Sequence, residues 1–124
     1  AHITGGGLTE NLPRMLPPRL MARVEADRWR LPPVFSWLRE AGMIEGPELV
    51  RTFNCGIGMV AAVAADAVDS ARALLRDEFD LDAIEIGEIV AAHDQPAQAA
   101  AEVLAGPGTW GYRKGFRALS GHFD

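Results

Sequence analysis

His2, Glu10, Asn11, Arg51 and Asn54 stand in or beside two glycine-punctuated segments, Gly5-Gly6-Gly7 and Asn54-Cys55-Gly56-Ile57-Gly58. Glycine accepts positive φ without penalty and lets backbone N–H groups approach a ligand. Free N–H groups at a helix start, with the positive end of the helix dipole behind them, favour a phosphate or a developing negative charge. Three consecutive glycines also cost chain entropy on folding. The run is neither GxGxxG nor a loop ending in GK[ST], and many glycine-rich turns only connect elements.

Each polar neighbour has two readings. His2 can donate a hydrogen bond or transfer a proton near neutral pH, or it can be a structural imidazole. Asn11 and Asn54 can contact a ligand, because an amide both donates and accepts; they can equally cap a helix or close a loop. Glu10 can accept from a ligand or simply favour a helix N-terminus. Arg51 can bind phosphate or pair with Glu48. Cys55 reads as a small buried residue, with nothing nearby to lower its pKa. The candidate set is His2 as the catalytic group, with Gly5, Gly6, Gly7, Glu10, Asn11, Arg51, Asn54 and Gly56 as the ligand contacts, each keeping its structural alternative. No metal ligands are expected, since His2, His93 and His122 lack ligand spacing.

Composition narrows the class. The 124 residues suit one domain with a real hydrophobic core, and 48% apolar with 23% charged residues is ordinary for a globular protein. A formal net charge of -5 opposes non-specific nucleic-acid binding. A single cysteine excludes an internal disulfide and fits a reducing compartment, so a cytoplasmic location is expected. No membrane span or signal peptide is apparent. The start at Ala1, with the main motif following at once, reads as a fragment or processed product whose upstream half is missing.

The elements that position these residues follow from periodicity. Thr9 to Leu16 predicts a short helix ended by Pro17-Pro18. Arg19 to Glu25 predicts a strand with Leu20, Ala22 and Val24 on one face. Val34 to Ala41 predicts a helix with Val34, Trp37, Leu38 and Ala41 on one side and Gly42 as its stop. Phe35 and Trp37 are assigned to core and interdomain packing. Pro47 to Phe53 predicts another helix. The apolar run Met59 to Ala64 predicts a central strand covered on both faces. Asp66 is the expected N-cap of a helix with Val68, Ala71, Leu74, Leu75 and Phe79 as a buried stripe. Ala83 to Val90 alternates as a strand. Ala97 to Leu104 suits a helix or a last strand. Trp110, Tyr112, Arg113, Lys114, Phe116 and Arg117 form a basic-aromatic tail, read as a packed or frayed terminus rather than a contact for an anionic partner. The order predicts an α+β fold, a mixed β-sheet flanked by helices.

HITGGGLTENLPR (His2 to Arg14), PPVFSWL (Pro32 to Leu38) and RTFNCGIGMV (Arg51 to Val60) occur in that order. Together they resemble the C-terminal domain of the phosphoribosylformylglycinamidine cyclo-ligase family, the AIR synthetases of purine biosynthesis. The resemblance runs to about Val90. It implies a domain over 1–92, and an extension over 93–124 without a family role, packed on that domain or trailing from it. It also implies the substrate-side wall of a cleft for formylglycinamidine ribonucleotide. In this family ATP phosphorylates the formyl oxygen, and a substrate nitrogen displaces phosphate as the ring closes to aminoimidazole ribonucleotide. ATP and Mg2+ would be bound mainly by an N-terminal domain, which also forms a homodimer interface. This chain alone would be inactive.

Two other readings stay open. One is another member of the same ATP-dependent superfamily, such as formylglycinamidine ribonucleotide synthetase, thiamine-monophosphate kinase, selenophosphate synthetase or a hydrogenase-maturation protein. The other is a free-standing, non-catalytic binding module.

Overall fold

In the computed structural model, residues 1–92 and 98–121 are described. Four strands, β1 (Leu20–Glu25), β2 (Gly87–Ala91), β3 (Ala100–Ala105) and β4 (Phe116–Leu119), form a mixed sheet in the order β2-β1-β3-β4. β1 runs antiparallel to β2 and parallel to β3, and β3 runs antiparallel to β4. The helices are α1 (Gly7–Asn11), α2 (Pro33–Gly42), α3 (Gly46–Thr52) and α4 (Val68–Phe79). The mixed sheet with helices is the α+β fold that the sequence predicts.

The core joins α1 and α3 to the sheet. Leu8 and Leu12 meet Leu49 and Val50 of α3, Ala22 and Val24 of β1, and Ala101 and Val103 of β3. Burying one such Leu stabilises the fold by about 1.5–3 kcal/mol. β1 follows its predicted alternation, with Ala22 and Val24 buried. The first helical segment begins at Gly7 rather than Thr9 and continues as a 3-10 turn, Leu12–Met15.

Glu102 is the one acidic side chain in this core among the described residues. Its Oε1 accepts from Arg23 Nε of β1 at 2.9 Å, and its Oε2 accepts from Arg117 Nη2 of β4 at 2.8 Å. Three strands are thereby clamped through one carboxylate. Burial pushes the Glu102 carboxyl up, but the two arginine hydrogen bonds and charges outweigh it and hold it below the ordinary value.

The aromatic tail is packed. Trp110 meets Trp29 edge-to-face at 5.2 Å, and Tyr112 and Phe116 meet at 5.1 Å. The Arg39 guanidinium lies 5.1 Å from the Tyr112 ring centre and also donates to the Trp110 carbonyl. Tyr112 Oη donates to the Ile44 carbonyl at 3.0 Å.

Several expectations are corrected. Met59–Ala64 is not a central strand: its one ladder contact is an antiparallel bridge from Met59 to His2, and Ala61 to Ala64 are exposed. The place beside β1 that would bury such a run holds β3 instead. α4 forms where expected, yet none of its residues is buried, and Leu74 and Phe79 are 57% and 63% exposed. Periodicity shows which face of a helix could be covered, not that a partner covers it. Asp66 lies in a 3-10 turn and makes no cap; Ala67 takes the N-cap place. The left-handed residue that stops α2 is Met43 (φ 50°), one past Gly42, with Ile44 N–H on the Arg39 carbonyl at 2.9 Å. Trp37 is 65% exposed, whereas Phe35 packs on Phe53 at 5.8 Å. β2 starts at Gly87, so Ile84 precedes the strand and is half exposed. The last predicted element is a strand from Ala100. Ala97, His93 and His122 lie outside the described residues.

Candidate functional site

The two glycine segments meet through a short antiparallel ribbon. Ile3 N–H donates to the Gly58 carbonyl at 2.9 Å, and Val60 N–H donates to the Ala1 carbonyl at 2.8 Å. His2 lies opposite Met59 in this ribbon. Its side chain is exposed, and no hydrogen bond joins its imidazole to another described residue.

The first segment is a turn closed by Gly7 N–H on the Thr4 carbonyl at 3.0 Å. Gly6 (φ 97°) and Gly7 (φ 57°) both lie in the left-handed region. A Cβ at Gly7 would collide with the Val50 carbonyl, so α1 and α3 approach closely only because the residue is glycine. A Cβ at Gly6 would stand 2.6 Å from Glu10 Oε2, which places the Glu10 carboxylate against the turn. Gly5 has open space around it. Among the described residues, the N–H groups of Gly5 and Gly6 have no acceptor.

Asn11 is buried and holds this turn from inside. Its Nδ2 donates to the Gly7 carbonyl at 2.8 Å, with longer contacts to the Thr4 and Gly5 carbonyls at 3.2 and 3.3 Å. Its Oδ1 accepts from Arg14 Nη1 at 3.2 Å. Asn11 thus orients the loop, and its amide is already engaged. Thr4 and Arg14 belong to this arrangement although sequence reasoning passed over them. The three-residue spacing of Asn11 and Arg14 on a helical turn was the available signal.

The second segment is a tight turn from Asn54 to Ile57. Ile57 N–H donates to the Asn54 carbonyl at 3.0 Å, and Gly56 N–H donates to Asn54 Oδ1 at 2.9 Å. Asn54 therefore closes its loop, and the Gly56 amide is engaged within it. Cys55 (φ 53°) and Gly56 (φ 94°) are both left-handed. The Cys55 carbonyl accepts from Trp29 Nε1 at 3.0 Å, which locks the turn to the core. Burial pushes the Cys55 thiol up to about 12, so it is no nucleophile near neutral pH.

Arg51 pairs with Glu48 at 2.6 Å on the surface of α3. The hydrogen bond from Arg51, helped by Thr52, holds the Glu48 carboxyl below its ordinary value. A shallow groove between Trp37 of α2 and the Gly108–Gly111 turn shares no lining residue with the glycine segments.

The site thus presents an exposed imidazole, two N–H groups without acceptors among the described residues, and a carboxylate, over a turn fixed by Asn11. Such a surface can receive an anionic or hydrogen-bonding ligand and can exchange a proton at His2.

Comparison with known proteins agrees with the motifs. The family described as AIR synthase related protein, C-terminal domain, matches residues 1–99. A phosphoribosylformylglycinamidine cyclo-ligase from Methylobacillus flagellatus is 54% identical over 98 residues, covering 79% of this chain and 28% of its own length. The protein of that name from Bordetella pertussis is 48% identical over the same extent, 79% of this chain and 28% of its own. The one from Neisseria gonorrhoeae is 56% identical over 75 residues, 60% of this chain and 22% of its own. The chain therefore spans about a quarter of the length of these relatives. With four-fifths of its residues matched and the two glycine-bearing motif segments joined in one ribbon, this chain belongs to the AIR synthase related protein C-terminal domain family.

Proposed function

We propose that this chain forms the substrate-side wall of a cyclo-ligase that closes formylglycinamidine ribonucleotide to aminoimidazole ribonucleotide with ATP. The observation that supports it is the ribbon joining Ala1–Ile3 to Gly58–Val60, which ties the segment leading into the Gly5–Gly7 turn to the end of the second loop and sets His2 opposite Met59. The names of the relatives give a cyclo-ligase acting on phosphoribosylformylglycinamidine.

On this reading the Gly5 and Gly6 N–H groups bind an anionic oxygen of the ribonucleotide. Glu10 accepts from its amidine or ribose. His2, free of other described partners, moves a proton as the ring nitrogen attacks. Asn11 and Asn54 keep the two loops in register. Arg51, on α3, is assigned to the phosphate when the cleft is complete. Among the described residues no three His, Cys, Asp or Glu side chains converge to hold a metal ion. ATP with its Mg2+ is assigned to the part of the relatives that lies outside this chain. ATP supplies the phosphoryl group that activates the formyl oxygen. A homodimer and a cytoplasmic location complete the reading. No described helix is long and apolar enough to cross a membrane.

An amide NMR titration tests this. Aminoimidazole ribonucleotide is expected to shift Gly5, Gly6 and the 54–58 turn, while ATP leaves them in place. A response to ATP at these amides, or shifts confined to other surfaces, would overturn the assignment.

A further inference from the structure

We propose that Met59–Ala64 and Ala100–Ala105 are alternative occupants of one place in the sheet, the place beside β1. That place is covered on both faces, because Ala100, Ala101, Glu102 and Val103 are buried in succession. A run without polar alternation suits it. Met-Val-Ala-Ala-Val-Ala at 59–64 is such a run, and it carries no charge. β3 fits less simply, since Glu102 needs both Arg23 and Arg117 to be tolerated there.

Three further observations agree. Met59 bridges to His2 and Val60 packs against the core, but from Ala61 the run is exposed. Between β1 and Met59 lie α2 and α3. A crossover of that kind is what parallel pairing with β1 requires, and β3 is parallel to β1. The family match ends at residue 99, so it contains β1, β2 and Met59–Ala64 but neither β3 nor β4.

Exchange would reach the candidate site. Gly58 and Val60 hold Ile3 and Ala1, so seating the following residues in the sheet would extend the ribbon that carries His2. Glu102 would return to water, leaving Arg23 with Glu88, now 3.7 Å away.

The test is hydrogen exchange on the full chain and on two variants that expel β3 by different means. Val103→Pro removes a central ladder donor. Glu102→Lys sets a third positive charge between two arginines. In the unmodified chain, Ala101–Leu104 amides are expected to be protected and Ala61–Ala64 amides to exchange nearly as in a free peptide. In both variants, Ala61–Ala64 should slow by at least about 100-fold while Ala22–Val24 remain protected. Adding Ala62→Asp to either variant should abolish that gain. Global loss of protection in both variants, or Ala61–Ala64 staying fast beside a protected β1, would overturn the proposal. So would protection that survives Ala62→Asp.

Discussion

The side-chain amide of Asn11 donates to the Gly7 carbonyl over 2.8 Å, from the end of α1 back to its first residue. The contact is buried, and the same nitrogen reaches two more carbonyls of the turn. Asn11→Ala leaves these without a donor and is expected to destabilise the chain by about 1–3 kcal/mol. Asn11→Asp presents an acceptor to acceptors and should be worse. Urea unfolding of the three proteins checks the order.

Gly7→Ala meets two penalties at once. The residue is left-handed, and its Cβ would collide with the Val50 carbonyl of α3. The expected loss is at least about 2 kcal/mol. Gly5→Ala, in open space, should lose much less. A thermal melt of each variant measures the contrast.

His2 should behave oppositely. It is exposed and makes no side-chain hydrogen bond to a described residue, so His2→Ala is expected to change stability by less than about 0.5 kcal/mol. In the complete enzyme the same change should lower turnover by about 10²–10⁴ if His2 transfers the proton. A turnover loss that tracks unfolding instead would assign it a structural role.

Glu102 sets an acid limb on stability. Its folded value lies below the ordinary one, so its contribution is full above the ordinary carboxylate value and disappears as pH falls through the folded value. Glu102→Gln is expected to cost about 1–3 kcal/mol at pH 7 and to flatten the acid limb. Chemical denaturation from pH 7 downward should show the two curves converging.

Cys55 is expected to resist thiol reagents in the folded chain, because it is buried and its pKa is pushed up to about 12. Labelling should become fast only when denaturant unfolds the chain. Rapid native labelling would show that the Asn54–Ile57 turn opens.

Local features were the legible ones. Alternation revealed β1, and the pairing of Arg51 with Glu48 was one of the two readings the sequence offered for that arginine. The two glycine segments marked the turns that the ribbon brings together. What stayed hidden depends on distant partners. Nothing around Glu102 announces Arg23, 79 positions away, so a buried carboxylate in the last segment was not foreseen. Met59–Ala64 has the composition of a buried strand, but composition does not say which of two similar runs takes the one buried place. Free glycine amides were anticipated at both turns. The Gly56 amide is engaged because the Asn54 side chain folds back onto it, a choice made by turn geometry rather than residue type.

The edge-to-face pair of Trp29 and Trp110 has an optical consequence. Two indoles 5.2 Å apart couple their transitions, giving a circular-dichroism couplet that neither ring gives alone. Trp29 belongs to the connection after β1, and Trp110 to the turn before β4. The couplet therefore reports whether the chain's last segment is docked, independently of helix content. Trp37, largely in solvent, lies outside the pair, so its fluorescence supplies a reference within the same molecule.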